Sequence, residues 1–340
     1  MSLPLVVIDA DVLGRRRTGD ETYIRNMLRE LSALAEPAGL RFAAVTRRPD
    51  LVPAGIEAIE LSGNRQELRM GWALPRLLRR VDAALIHTQY AVPLRCPCPA
   101  VVMIHDLSFE RDPTVMKRHD RIVFRWAVPR AARSAARILT VSDRSKRDIV
   151  DIYGIESEKV VVTPNGVDPI FAPGTGGARD YVLSVGAVQP RKNQLAALLA
   201  AQEVGLPLVV VGPEKDPATA RELRAKGATL RGYVTLEELV ALYVGAACVV
   251  QSSRYEGFGL PVLEAMACGV PVVTVPDPAL IEVVGGAAVV VEEGRLADGI
   301  REALSERERL VVAGLERAAL YSWRAAAEQT VAVYREALRR

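Results

Sequence analysis

Short apolar runs alternate with longer stretches of helical period along most of this chain. In the first half, runs of strand character fall at Leu5–Ile8, Phe42–Val45, Ala84–His87, Val101–Ile104, Ile138–Val141 and Val160–Thr163. Between them, apolar residues recurring every three or four positions predict helices over Glu21–Leu34, 71–80, 116–136 and 143–153. A turn cluster, Pro164-Asn165-Gly166-Val167-Asp168-Pro169, and a joint, Pro173-Gly174-Thr175-Gly176-Gly177, then interrupt the pattern. It restarts with strand Tyr181–Val185, turn Gly186–Asn193, helix Gln194–Val204, strands Leu208–Val211 and Thr229–Tyr233, and helix Leu236–Tyr243. Strand Cys248–Gln251, helix 261–268, strands Val270–Val275 and Ala287–Val291, and helices 295–305 and 307–320 complete this half. Over Ser322–Leu338, Trp323, Ala327, Val331, Tyr334 and Leu338 share one helical face. Strands alternating with helices argue for parallel sheets built of βαβ units. The pattern therefore predicts two α/β domains, 1–170 and 178–320, followed by a terminal helix over 321–340. Open sheets of this kind bind ligands beyond the C-terminal ends of their strands.

Composition narrows the class. The 340 residues are 50% hydrophobic and 25% charged, as in soluble globular chains. No apolar run approaches the ~18–20 residues that span a bilayer. The opening MSLPLVVIDAD reads straight into a strand without a basic leader, so a cytoplasmic location is expected. Cys96, Cys98, Cys248 and Cys268 do not have zinc-finger spacing, and reduced thiols are expected.

Charge is uneven. Residues 1–170 carry 26 Lys and Arg against 21 Asp and Glu, and the remainder 18 against 20. Arginines concentrate at Arg65, Arg69, Arg76, Arg79 and Arg80, and again, with Lys117, at Arg111, Arg118, Arg121, Arg125, Arg130, Arg133 and Arg137. Such stretches form solvated helix faces, or meet an anionic membrane surface or a phosphorylated lipid. Aromatic content of 5% and the lack of a binding motif exclude nucleic acid as a partner.

Residues 254–275, RYEGFGLPVLEAMACGVPVVTV, carry the most chemistry. Pro261 suits the start of a helix, where its missing N–H is not needed, and Gly269 suits the left-handed residue that ends one. That places Glu264 in the first turn of a short helix. Gly257, Phe258, Gly259 and Leu260 lead into it, and a turn feeding a helix N-terminus presents N–H groups to an anion. Glu256 before the turn and Glu264 after it could each grip hydroxyls on either side of that anion. A phosphate flanked by two polyols describes a nucleotide sugar.

This segment resembles the E-x7-E signature of retaining glycosyltransferases of the GT-B architecture, specifically glycosyltransferase family 4. The resemblance implies two Rossmann-like domains with a deep interdomain cleft, the first for the acceptor and the second for the donor. It implies an enzyme that moves a mannose- or glucose-type hexose from a GDP or UDP carrier to a hydroxyl acceptor with retention of configuration. It also implies a terminal helix that crosses back onto the first domain. By the same resemblance, Glu256 contacts the transferred sugar, Glu264 takes ribose hydroxyls, and main-chain groups at Tyr233 and Val234 meet the nucleobase. Arg191 and Lys192, in VLSVGAVQPRKNQ, neutralise the leaving diphosphate. His105, in HDLSF, lies near the donor sugar, and Gly19, in RTGDETYIRNML, lines the opposite wall. The first glycine-rich loop departs from the family by having a single glycine and by placing Asp20 and Glu21 beside it.

Asp9-Ala10-Asp11 spells the D-x-D pattern that binds a divalent ion in the other major glycosyltransferase fold. Here it ends the first strand, and it is read as a strand terminus rather than a metal site. No metal or other cofactor is expected, because the Arg191–Lys192 couple can balance the diphosphate. His87, at another strand end, could line the acceptor side, and His119 is expected on the surface. Two rival functions share the motifs: a sugar-nucleotide epimerase, and a non-catalytic nucleotide-sugar-binding partner. An NAD enzyme is disfavoured because no G-x-G-x-x-G follows the first strand of either half.

Overall fold

The computed structural model describes residues 3–15, 18–61, 66–112, 116, 118–174 and 179–339. Arg16, Arg17, Arg65, Lys117 and 175–177 lie outside the described residues. The chain forms two compact units: Met1–Leu107, Arg118–Gly166 and Trp323–Arg340 make one, and Ser108–Lys117 and Val167–Ser322 the other.

Along the first part of the chain come β1 (Leu5–Asp9), α1 (Thr18–Ala38), β2 (Arg41–Thr46), β3 (Glu57–Glu60) and α2 (Gln66–Leu68). A wide π turn, Arg69–Ala73, leads into α3 (Leu74–Arg80), then β4 (Leu85–Gln89) and β5 (Ala100–Met103). After α4 (Ser108–Arg111) follow α5 (Arg118–Ser134), β6 (Arg137–Thr140), α6 (Asp143–Tyr153) and β7 (Val160–Val162). The strands form one parallel sheet in the order β3-β2-β1-β4-β5-β6-β7. Its central positions, including Val6, Val7, Ala43, Leu85, Ile86 and Val101, are fully buried, as expected of a sheet covered on both faces. The order reverses between β1 and β4, so the C-terminal ends of those strands flank the position where such sheets bind ligands.

Three features differ from the pattern reading. β3, Glu57-Ala58-Ile59-Glu60, shows no apolar run because it is a largely exposed edge strand held by its backbone pairing to β2. α1 begins at Thr18 rather than Glu21, so Gly19 lies inside the first helical turn instead of in the preceding loop. His87, expected on the acceptor side, is instead buried in the core.

The second unit continues with β8 (Val182–Val185), a 3-10 turn at Pro190–Lys192, α7 (Gln194–Glu203), β9 (Leu208–Val211), α8 (Pro217–Ala225) and β10 (Thr229–Leu230). Then come α9 (Leu236–Gly245), β11 (Cys248–Gln251), α10 (Leu260–Ala267), β12 (Val272–Thr274), α11 (Pro278–Val284), β13 (Val289–Val290), α12 (Leu296–Ser305) and α13 (Arg307–Ala319). Its sheet is again parallel, in the order β10-β9-β8-β11-β12-β13, and reverses between β8 and β11. Helices α8 and α11 were not expected from periodicity. Both are short, and each starts with an Asp cap followed by proline, Asp216-Pro217 and Asp277-Pro278.

The chain ends in α14 (Trp323–Leu338), which packs on α1 in the first unit. Its buried face includes Trp323, Ala327, Val331 and Tyr334. Near its end, Arg335 donates to the carbonyls of Pro37 and Ala38, the last turn of α1. Among the described residues, no helix is long and apolar enough to cross a membrane.

Candidate active site

The two loops that leave β8 and β11, at the strand reversal of the second sheet, are laced together. Ser252 Oγ donates to the Lys192 and Asn193 carbonyls at 3.1 and 2.9 Å. The Arg254 N–H donates to the Arg191 carbonyl at 3.0 Å, and the Arg191 guanidinium donates to the Tyr255 carbonyl. Asn193, in the left-handed region at φ 52°, ends the 3-10 turn and starts α7. Lys192 is thereby carried back under the strand ends, its side chain close to Gly186 (φ 151°). A Cβ at Gly212 would lie 2.2 Å from the Gly186 carbonyl oxygen, so the floor beside Lys192 requires glycine there.

Glu256 is at the centre of this arrangement. Its Oε1 accepts from Lys192 Nζ at 2.5 Å and from Gln251 Nε2 at 2.5 Å, and its Oε2 lies 3.5 Å from Arg191 Nη1. Burial alone would raise the Glu256 pKa, but the charges of Lys192 and Arg191 overcome it and hold the carboxyl down at about 2. The Glu256 N–H donates to Asp277 Oδ2 at 3.3 Å, while Asp277 Oδ1 caps α11 through Ala279 at 2.9 Å. Arg191, Lys192 and Glu256 thus form one ionised cluster, with Gln251 and Asp277 as supports that carry no motif in the sequence.

After Glu256, the chain turns through Gly257 and the buried Phe258 into Gly259, which caps α10 at φ 118°. A side chain at Gly259 would also meet Leu280 at 2.8 Å. Helix α10 starts at Leu260, one residue earlier than the pattern indicated, with Pro261 just inside it. Glu264 therefore sits past the first turn, not within it, and does not cap the helix amides. Gly269 is left-handed at φ 68°, as the sequence implied. Tyr243 on α9, fully buried, donates its hydroxyl to Glu264 Oε2 at 2.8 Å. Burial raises the Glu264 pKa to about 7; the Tyr243 bond opposes this, and the Asp168 charge adds to it. The two glutamates of one motif consequently differ by several pH units, one locked ionised and one poised to titrate near neutrality. Tyr233 is half exposed beyond β10, next to the partly buried Val234.

In the first unit, His105 follows β5 and is almost fully buried. Its Nε2 pairs with Gln89 Oε1 at 2.7 Å, and its ring meets Tyr23 edge-on at 5.0 Å and Tyr90 at 5.7 Å. With Gln89 accepting, Nε2 carries the proton and Nδ1 is left as an acceptor. Burial lowers the pKa of His105, against the charges of Asp20 and Asp106, so the ring is neutral. His87 has another role. Its Nδ1 bonds the Tyr334 hydroxyl, its Nε2 lies 3.4 Å from the Tyr23 hydroxyl, and burial lowers its pKa to about 3. It is a core tie between α14, β4 and α1.

Gly19 is exposed at the start of α1, with open space where a Cβ would point. Glu21 turns away from that end: its carboxylate accepts from the Gly14 N–H at 2.9 Å and from Arg25 at 2.8 Å. The D-x-D carboxylates are paired with arginines. Asp9 takes both Nη atoms of Arg69, at 2.5 and 2.8 Å, and Asp11 takes Arg47 at 2.9 Å and also Arg15. His119 is exposed.

The profile described as Glycosyl transferases group 1 matches residues 170–316, and the profile described as Glycosyltransferase Family 4 matches 17–171. With two parallel, doubly wound sheets, these matches define a sugar-transferring enzyme of the GT-B class. The chain is 31% identical over 327 residues to O-antigen chain mannosyltransferase B of Escherichia coli, covering 87% of this chain and 83% of that protein. It belongs to glycosyltransferase family 4. It is also 35% identical over 237 residues to the MMP alpha-(1->4)-mannosyltransferase of Mycolicibacterium hassiacum, covering 62% of this chain and 56% of that one. Among solved structures, sucrose-phosphate synthase from Thermosynechococcus elongatus shares the fold with a TM-score of 0.80 at 20% identity, over 98% of each chain. Anabaena HepE in complex with UDP and glucose does so with a TM-score of 0.75 at 16% identity, over 98% of this chain and all of that one (100%).

Proposed function

We propose that this glycosyltransferase moves a hexose, mannose first among the candidates, from a nucleoside-diphosphate donor to a hydroxyl acceptor with retention of configuration. The observation that carries the reading is the Arg191–Lys192–Glu256 cluster at the strand reversal of the second sheet. In it, two cations stand where a diphosphate can replace Glu256 as their counter-charge. Bidentate Arg and point-charge Lys suit a diphosphate, and stabilising charge on a leaving group is usually the largest catalytic contribution. The couple can serve this purpose without a metal ion. The second unit takes the donor, with Glu256 on the sugar hydroxyls, Glu264 on the ribose, Tyr233 and Val234 at the base, and the turn Gly257–Leu260 at the phosphates. The first unit takes the acceptor and adds two donor contacts, Gly19 at the start of α1 toward the diphosphate and neutral His105 hydrogen-bonding the donor sugar through Nδ1.

As the diphosphate departs, the acceptor hydroxyl attacks from the same face, and the phosphate oxygen takes its proton. Two similar proteins named as mannosyltransferases support the choice of sugar. The chemistry belongs to the cytoplasmic side of a membrane, where the basic first unit touches anionic lipid.

Thermal-shift measurements against GDP-mannose, GDP-glucose and UDP-glucose test the donor, since a tight ligand raises apparent stability by mass action. Proton NMR of the product then tests the stereochemistry. An inverted anomeric centre rejects the retaining mechanism, and a donor converted without any acceptor points to an epimerase instead.

A further inference from the structure

Apart from sugar transfer, we propose that Cys96-Pro97-Cys98, on the loop between β4 and β5, is a reversible oxidation site at which a hydroperoxide closes a disulfide across Pro97.

The cysteines fall into two kinds. Cys248, in β11, and Cys268, just after α10, are buried. Burial pushes both thiols up to about 12, and such thiols are inert as nucleophiles. Cys96 and Cys98 are partly exposed and separated by a single residue. A small oxidant in solvent therefore reaches these two sulfurs and not the others.

The backbone brings the two exposed cysteines together. Arg95, left-handed at φ 51°, turns the chain just before them. Cys96 Sγ lies 3.2 Å from the Cys98 carbonyl oxygen, so its side chain folds forward over the residue it would join. The segment is tied on both sides. The Leu94 N–H donates to the Met70 carbonyl at 3.0 Å, and the Pro99 carbonyl accepts from the Ile86 N–H at 3.0 Å. A bridge closes within the turn between these anchors, where Pro97 with its fixed φ narrows the alternatives.

Charge makes the pair unequal. Arg130 Nη1 donates to the Val92 carbonyl at 3.1 Å, and Arg79 Nη2 to the Arg95 carbonyl at 3.5 Å. The loop's own oxygens thus hold two guanidiniums near Cys96. As a thiol, Cys96 donates to the Cys98 carbonyl; as a thiolate, it accepts from the Cys98 thiol and N–H. The bond from the Cys98 thiol, helped by that N–H and by Arg130 and Arg79, overcomes burial and lowers the Cys96 pKa to about 7. The same bond raises the pKa of Cys98, which keeps its proton. One sulfur is ready to attack and its neighbour to resolve, which is the arrangement of a redox-sensing pair.

The chemistry balances with the peroxide as sole oxidant. The Cys96 thiolate attacks the hydroxyl oxygen of the hydroperoxide, the O–O bond breaks, and the departing oxyanion is protonated from water. Cys96 is left as a sulfenic acid. The Cys98 sulfur then displaces its hydroxyl, which leaves as water with the Cys98 proton, and the S–S bond forms. The two sulfurs give up the two electrons that the peroxide gains. A bridge across one residue makes a small, strained ring, and strained or exposed disulfides are the readily reduced kind, so a dithiol reopens it.

The test treats the full chain with hydrogen peroxide, then quenches and unfolds it in N-ethylmaleimide before tryptic digestion and mass spectrometry. Cleavage after Arg95 and Arg111 keeps both sulfurs in one peptide, while Cys248 and Cys268 fall in separate ones. Expected is an unlabelled 96–111 peptide lighter by two hydrogens than the dithiol and restored by dithiothreitol, with Cys248 and Cys268 fully labelled. Its rate of formation should rise about tenfold between about pH 6 and pH 8, as the thiolate forms. Cys98→Ser should stop at a Cys96 sulfenic acid that dimedone traps, and Cys96→Ser should leave Cys98 unoxidised. No reaction at a dose that oxidises free cysteine would overturn the proposal. So would a bridge between two chains, sulfinic acid in place of the bridge, or equal oxidation of Cys248 and Cys268.

Discussion

Lys192 Nζ and Glu256 Oε1 meet 2.5 Å apart across the strand reversal of the second sheet, one from the loop after β8 and the other from the loop after β11. Residues 64 apart in sequence are brought together because a doubly wound sheet places its first and fourth strands side by side. The bond holds the lysine in place before any donor arrives, so the incoming diphosphate meets an ordered cation.

Lys192→Ala is expected to lower turnover by about two to three orders of magnitude, as removal of a charge-stabilising donor does. It also leaves the buried Glu256 with Arg191 and the neutral Gln251, without the lysine's charge. Glu256→Gln should lose comparable activity while keeping the fold. Steady-state assays with circular dichroism check both, and near-normal turnover in either variant removes the residue from the chemistry.

Glu264 gives a pH signature. Its pKa of about 7 means that acidification through neutrality removes the charge that strengthens its bonds to donor hydroxyls. Donor affinity should fall about tenfold between about pH 8 and pH 6, and Glu264→Gln should be weak and flat across that range. Stability moves the other way. Between the ordinary 4.5 and about 7 the folded chain holds the proton that the unfolded chain has lost, so this group's contribution to unfolding free energy falls as pH rises. Urea titrations at several pH values read this slope, and the Gln variant should lack it.

Gln89 positions His105 through their 2.7 Å bond. Gln89→Leu should reduce kcat between about ten- and a hundredfold with donor KM little changed, because the imidazole loses its fixed orientation. Gln89→Glu should raise the pKa of the ring and move an acidic limb of the pH–rate profile upward by about one unit. A profile identical to that of the unaltered chain would show that the histidine is held by other contacts.

Tyr334→Phe should cost about 1–3 kcal/mol, since it strips a partner from the fully buried His87 Nδ1. His87 is held neutral, with its pKa lowered from 6.5 to about 3. Over that interval the unfolded chain binds the proton and the folded chain does not, so its contribution to stability is lost as pH falls from 6.5 toward 3. Denaturant midpoints measured down the pH scale should show that loss, and His87→Gln should show less of it.

The turn and short helix that carry Glu256 and Glu264 were legible because glycine and proline answer to local geometry. Gly259 at φ 118°, Gly269 at φ 68° and Pro261 inside α10 are demands of the backbone that a single sequence displays. The alternation of strands and helices gave the parallel sheets for the same reason. What escaped is tertiary or chemically bland. Gln251, Gln89 and Tyr243 are neutral residues whose roles arise only when the fold places them against Glu256, His105 and Glu264. Residue β3 Ile59 has exposed glutamates around it, and nothing in its own period marks a strand. His87 and His105 both follow apolar runs at strand ends, yet one is bound in the core and the other lies beside Gln89 and Tyr90. Periodicity does not separate them.

Because α14 completes the core of the first unit although it follows the whole of the second in the chain, the second unit is in effect an insertion. A ribosome must deliver everything up to Ser322 before Trp323, Thr330 and Tyr334 can close over Tyr23 and His87. The earliest-made sheet therefore waits, with one flank uncovered, for the latest-made helix, and a product terminated early would expose that flank to chaperones and proteases however well its middle had folded.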